Sequence, residues 1–312
     1  MTVDFNLPWL RSWVEVVDSR GFARAATKLH LSQPRVSAHV ASLERALGCA
    51  LIDRRARPLE LTDEGKRLLP RARSILAAVD DTISDMKSSA STSVGKLTIA
   101  SFASASAAFL PSVLTDLRCT NPLLQVGILD GDSQSIESAL CDRRAAVGLR
   151  PLRPDPADPA LIGRGLWREP FVVLAPPAHP IFDKGAIRLE QIVRFPVITI
   201  GDPLADPLLG YEVLSAVHAR GIAAEMGFVS HQPTTLAAMV RAGHGIGLVN
   251  LLAASMVRTD GLEMRQVDSP HLHRDVAVWW HSGRPLSRAA EVFIDLVLSK
   301  RRPAGTLPLS PD

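Results

Sequence analysis

The sequence is short of the groups around which most protein chemistry is built. Its 312 residues include three cysteines, Cys49, Cys119 and Cys141, and neither a CxxC pair nor an HExxH motif occurs, so no zinc site is expected. An odd number of isolated thiols suits a reducing compartment, where cysteine packs as a small hydrophobe. No run of about 18 uncharged apolar residues exists, so no membrane span is expected. The opening stretch, MTVDFNLPWLRSWVEVVDSRG, carries acids early and has no apolar core, unlike a secretory leader. The expected location is therefore the cytoplasm. There is no GxSxG elbow and no Walker loop, and GHGIG (243–247) lacks the spacing of a GxGxxG dinucleotide loop; it suits close backbone packing better. His271 and His273 could share a metal, but no further ligand stands near them. Nothing here suggests an enzyme, and neither a metal nor a cofactor is expected.

What is present is a full complement of apolar residues, 46% of the chain. That is enough for two or three domains with proper cores. Net charge is only +3, but it is unevenly spread. Between residues 19 and 73 twelve basic side chains face five acidic ones, so the remainder of the chain is slightly acidic. A compact basic N-terminal module on a near-neutral body is the electrostatic footprint of nucleic-acid binding.

Composition also marks the seams. SSASTSVG (88–95) is small and polar, as linkers are. PLRPDPADPA (151–160) holds too many prolines for helix interior or central strand. RRPAGTLPLSPD at the end suggests a frayed, flexible tail over 302–312.

Ahead of the first seam the pattern is helical. Residues 7–18 place Leu10, Trp13, Val14 and Val17 on one stripe. A short Ala-rich helix over 22–30 follows, then a turn at Leu31-Ser32. Ser32 is placed to cap the next helix, Pro34 falls in its first turn, and Gly48 ends it near residue 47. Helix, tight turn and second helix make a helix-turn-helix, about residues 21–40. IDRRARPLELT then alternates like a small basic hairpin, or wing, closing a domain over 1–62. Thr62 caps a long helix over 63–87, part of a linker and hinge running to residue 94. In it Leu69, Ala72, Leu76, Val79, Ile83 and Met86 follow three-and-four spacing, a seam suited to pairing with a second copy.

Beyond residue 95 strands and helices alternate, which points to a mostly parallel sheet with covered faces. Strands are expected at KLTIASF, LLQVGILD, AAVGLR, PFVVLA, FPVITI, AAEMGFV, GIGLVN and RDVAVWWHS. A helix is expected over 207–220 and a last one ending near 301. Two lobes are more economical than one sheet of this size. One would take residues 95–165 and 269–301, and the other 166–268.

The segment GFARAATKLHLSQPRVSAHVASLERALGCALIDRRARPLELTDEGKRLL resembles the N-terminal domain of LysR-type transcriptional regulators. It shares their A-A-x-x-L-x-x-S-Q-P-x-V-S, L-E-x-x-L-G and L-T-x-x-G elements. FLPSVLTDLRCTNPLLQVGILDGDSQSIESAL and LAAMVRAGHGIGLVN are similar to that family's effector domain, so the likeness extends to about residue 301. It implies an α/β multidomain fold: a winged helix-turn-helix, a long linker helix, and a two-lobed, periplasmic-binding-protein-like effector domain. Departures are His39 where the family often has Gln, Arg35 where a small residue is common, and Ile52 in place of Phe.

The resemblance also assigns roles. Gln33, Arg35, Ser37 and His39 would face base edges in the major groove. Ser32, Pro34, Arg54, Arg55 and Arg57 would complete the DNA surface, with Ser32 and the arginines on phosphates. A small effector would sit where strand ends face the crevice between lobes. Ser101 and Ser104 stand at a helix start, Asp132 and Ser133 follow a strand, and Arg150 ends another. Gly201 with Asp202, and His231 with Gln232, end strands of the other lobe. Expected partners are double-stranded DNA, a second copy in a homodimer or homotetramer, RNA polymerase and the effector, with no membrane. A ligand-independent DNA-binding regulator remains open, and a solute-binding protein is a weaker alternative because of the basic N-terminus.

Overall fold

A computed structural model describes residues 6–53, 58–87, 95–183, 185–201, 226–269 and 272–309. Arg54, Arg55, Arg57, the 88–94 linker, Asp202, the helix expected over 207–220 and His271 lie outside these residues.

The N-terminal domain packs α1 (Leu7–Asp18), α2 (Phe22–Leu29) and α3 (Gln33–Leu47) around Trp13, Val36, Val40 and Leu43. The ends of α3 follow local chemistry. Ser32 Oγ accepts the Arg35 N–H at 3.4 Å, and Gly48 closes the helix at φ 71°, where a side chain would be strained. The wing is the antiparallel pair β1 (Ile52–Asp53) and β2 (Glu60–Leu61). Glu44 ties it to α3 by accepting the Leu51 N–H at 2.9 Å.

The long α4 (Asp63–Lys87) starts at Thr62, whose Oγ1 accepts the Gly65 N–H at 3.0 Å. A Cβ on Gly65 would overlap the Leu51 carbonyl oxygen; the helix meets the domain too closely for any side chain there. The expected pairing seam divides along this helix. Ala72 and Leu76 are buried in the core of their own domain, and Leu69 packs against it. Val79 is half-buried, while Ile83 and Met86 are 47% and 81% exposed. Ala72 and Leu76 are thus corrected from dimer contacts to intrachain core. Three-and-four spacing shows that a face is buried, not which surface covers it.

The effector domain alternates β3 (Gly95–Ser101), α5 (Ala103–Ala108), α6 (Leu110–Thr120), β4 (Leu124–Asp130), α7 (Ser133–Cys141) and β5 (Val147–Pro151). Then follow β6 (Leu161–Ala175), α8 (Leu189–Ile192), β7 (Val197–Ile200), β8 (Met226–Ser230), α9 (Pro233–Arg241) and β9 (Ile246–Asn250). The chain closes with α10 (Leu251–Ser255), β10 (Glu263–Gln266), β11 (His273–His281) and α11 (Arg288–Ser299).

These strands form one nine-stranded sheet, ordered β4-β3-β5-β11-β6-β9-β7-β8 with β10 beside β6. It is mixed rather than mostly parallel. β3 runs parallel to β4 and β5, and β7 to β8 and β9, but the central ladders of β11 and β6 are antiparallel. Passing from one lobe to the other and back requires two opposed strands. β6 is the outward passage: its residues 161–170 pair with β11, and from Phe171 onward they pair with β9. Pro170, which has no N–H to contribute, sits where the partner changes. Lobe I therefore gives way to lobe II at 170/171 rather than 165/166. Separate cores fill the two, one around Leu97, Phe109, Trp167 and Phe293, and others around Phe171, Ile187, Ile198 and Leu236.

The tail is not frayed over its described part. Arg168 and Leu307 exchange both backbone hydrogen bonds at 2.8 Å, Thr306 is buried, and Leu309 fills the space beside Gly165. Leu307 and Leu309 thus lie against β6, and the pair of backbone bonds at Leu307 helps offset the entropy of ordering the segment.

Candidate nucleic-acid interface and effector cleft

On α3 the residues Ser32, Gln33, Pro34 and Arg35 are all exposed at the N-terminal tip, while Ser37 and His39 are half-buried. Positions two apart on a helix stand about 200° apart around its axis. Gln33 and Ser37 therefore lie on one flank, Arg35 and His39 on the other. The exposed stripe between them is Pro34, Ala38 and Arg45, with half-buried Ser42 beside it. Ala38, Ser42 and Arg45 were not picked out from the sequence, although their steps of four, four and three from Pro34 were the signal that could have found them. His39 is also turned inward. Its Nδ1 lies 2.7 Å from Ser12 Oγ on α1, and burial, followed by the Arg35 charge, lowers its pKa. It braces α3 against α1 and keeps at most one ring nitrogen for DNA. In helix-turn-helix proteins the N-terminal residues of the second helix are the ones that contact base edges.

In the effector domain Ser104 is 5% exposed, and its Oγ accepts from Arg274 Nη2 at 3.3 Å. Arg274, on β11, ion-pairs with Glu169 at 2.7 Å and lies 4.2 Å from the Phe102 ring centre. Glu169 is fully buried on β6, and its second oxygen accepts the Leu252 N–H of α10 at 2.7 Å. Since α10 packs against α5, the Leu252 N–H ties the lobe II segment to this lobe I ion pair at the strand crossing. Asn250 precedes α10, is buried, and has an Nδ2 with no hydrogen-bond partner among the described residues. Such an orphan donor calls for a ligand or a water. Glu169, Asn250 and Arg274 were missed in the sequence. An acid followed directly by PFVVLA, and an amide ending the apolar GIGLVN, were the available signals.

The other expected cleft residues have assignable structural roles. Ser101 is fully buried, and its hydroxyl donates to the Phe102 carbonyl at 3.2 Å. Asp132 caps α7 by accepting the Ser135 N–H at 2.7 Å. Arg150 is corrected from ligand contact to internal clamp. It is 2% exposed, lies over Trp279, pairs with Glu137 at 3.4 Å, and donates to the carbonyls of Ser133, Pro151 and Pro154. Ser133 contributes that carbonyl and is half-buried. In lobe II, Gly201 donates its N–H to Ser230, and His231 and Gln232 are exposed beyond β8. They share the strand-end side of lobe II.

Two family models match this chain: the bacterial regulatory helix-turn-helix protein of the lysR family over residues 7–66, and the LysR substrate binding domain over 90–302. The chain belongs to the LysR family. Its relatives include the HTH-type transcriptional regulator CfxR of Cupriavidus necator, 29% identical over 287 residues, which are 92% of this chain and 89% of CfxR. The probable HTH-type regulator LrrA of Synechococcus elongatus is 30% identical, over 80% of this chain and 82% of its own. Among solved structures, a full-length OxyR variant of Pseudomonas aeruginosa superposes with a TM-score of 0.75 at 22% identity, covering 98% and 99% of the two chains. Full-length CbnR, captured with its target DNA, gives 0.67 at 19% identity over 94% and 99%. Like other LysR-type proteins this chain is a transcriptional regulator with a helix-turn-helix and an effector-binding domain, and it is not an enzyme. The periplasmic-protein likeness is one of fold. Among the described residues no helix is long and apolar enough to cross a membrane.

Proposed function

We propose that this LysR-type regulator reads its operator with the tip of α3 and takes its effector in the crevice between Ser104 and Asn250. The observation that carries the proposal is the buried cluster at the strand crossing. Glu169 cancels the charge of Arg274, so the crevice does not demand a strongly anionic ligand. Ser104 accepts from Arg274 and keeps its own proton to donate, and Asn250 Nδ2 is a second buried donor. A small neutral or singly charged molecule with two hydrogen-bond acceptors fits that pairing. Closing around it would reset the angle between lobes and, through α4, between paired helix-turn-helix domains. The working unit is a homodimer or homotetramer in the cytoplasm that contacts RNA polymerase at the promoter and requires no metal or cofactor.

The test is a thermal-shift screen of small metabolites, because a ligand stabilises the folded state by RT ln(1 + [L]/Kd). Calorimetry of a hit against Ser104→Ala and Asn250→Ala follows. Each variant is expected to bind about 1 kcal/mol more weakly. Unaltered affinity in both would place the effector elsewhere.

A further inference from the structure

A cavity of about 420 Å³ lies between the helix-turn-helix domain and lobe I. One wall comes from α1 and α4; the other comes from β3, the turn after α7 and the loop after β11. The helical wall satisfies its own charges. Arg11 pairs with Asp80 at 2.7 Å, Arg73 with Asp18 at 2.5 Å, and Glu15 with Lys28 at 3.0 Å. The lobe wall does not. It brings Lys96, Arg143, Arg144 and Arg284 to the same space. Among the described residues only Arg144 of these four has a carboxylate within ion-pair distance, Asp142 at 3.7 Å.

Arg284 is held by the carbonyls of Leu140 and Cys141, at 2.9 and 2.7 Å, which fix its guanidinium without cancelling its charge. Arg143 Nε is buried and has no hydrogen-bond partner among the described residues. Its backbone has φ 55°, just past the end of α7, where glycine or asparagine is the usual residue. Backbone economy therefore does not account for an arginine there. His281 in the same wall senses these neighbours. Its pKa is lowered first by burial and then by Arg284, with Asp158 opposing and Arg143 adding to the effect.

We propose that this cavity binds a small polyanion, a phosphate ester or polycarboxylate, on Lys96, Arg143 and Arg284, at a site separate from the crevice between lobes. Guanidinium forks grip such oxygens in pairs, and the bound anion supplies the charge and the acceptor that Arg143 lacks. Because the opposite wall is α1 and α4, occupancy fastens lobe I to the DNA-binding domain and gives the regulator a second input.

Pyrophosphate, and separately citrate, titrated calorimetrically into the full-length protein at fixed ionic strength test the proposal. At least one of the two is expected to bind saturably, once per chain. Lys96→Gln/Arg143→Gln is expected to weaken it at least about tenfold, with a thermal transition matching the wild type. If that double variant does not fold, Lys96→Gln alone, at an exposed position, is expected to weaken binding measurably. Arg35→Gln, which removes charge from the recognition helix, is expected to bind as wild type does. The proposal is overturned if neither anion binds saturably, if the charge-stripped variant binds equally well, or if binding is lost in Arg35→Gln.

Discussion

Replacing Glu169 by Gln probes the crossing between lobes. Glu169 is fully buried, and the Arg274 side chain is 9% exposed, so solvent cannot take over the charge left behind. Gln still offers an oxygen to the Leu252 N–H but no counter-charge to the guanidinium. Removing one member of a buried ion pair costs about 3–5 kcal/mol, a large share of a typical domain stability of roughly 5–15 kcal/mol. Native-state hydrogen exchange in peptides covering β6 and β11 reads this loss as opening that is roughly 10² to 10⁴ times more frequent. The double variant Glu169→Gln/Arg274→Met removes both charges and is expected to recover part of the loss, which measures the coupling directly. A single-variant cost below about 1 kcal/mol, or strict additivity in the double variant, would refute the reasoning.

Three further outcomes follow from the same geometry. A charge at Ile83, as in Ile83→Glu, is expected to impair self-association in light scattering without unfolding the chain, whereas Leu76→Glu is expected to unfold the N-terminal domain because Leu76 is core; the reverse pattern would return the dimer contact to Leu76. His39, His179 and His281 all have lowered pKa values, mainly from burial. The unfolded chain therefore takes up protons first as pH falls through about 6.5, and stability is expected to drop there; His39→Gln should flatten the slope, and a slope unchanged in that variant would contradict its share. Burial, helped by Asp158, pushes the Cys141 thiol up to about 11, so at pH 8 it is ionised only to roughly one part in a thousand. Exposed Cys119 is expected to alkylate far faster, and equal rates would count against that shift.

Most of the N-terminal domain was legible because its boundaries rest on neighbours in sequence. Ser32, Gly48 and Thr62 mark helix ends by contacts within a few residues, and α3 begins and ends, and α4 begins, where those signals place them. What escaped was set by distant partners. The first half of β6 carries Gly163, Gly165 and the charged Arg164, Arg168 and Glu169, and it is the β11 ladder that makes it a strand. Glu169 and Arg274 stand 105 residues apart, so no local pattern joins them. Arg150 looked like a ligand contact because it ends a strand; Trp279 and three carbonyls decide otherwise. His39, expected on the reading face, gives one ring nitrogen to Ser12 on another helix. The docked tail depends on backbone bonds to Arg168 that its composition does not announce.

The central claim, that the tip of α3 reads DNA sequence, is tested most directly by selecting duplexes from a random pool with the full-length protein, then repeating the selection with Gln33→Ala and Arg35→Ala. Wild type is expected to enrich a site with two related half-sites. Each variant is expected to lose about 1–3 kcal/mol on that site and to relax base preference at one position per half-site, with little change on random DNA. Enrichment of the same motif with undiminished preference by both variants, or of no motif by the wild type, would contradict the account.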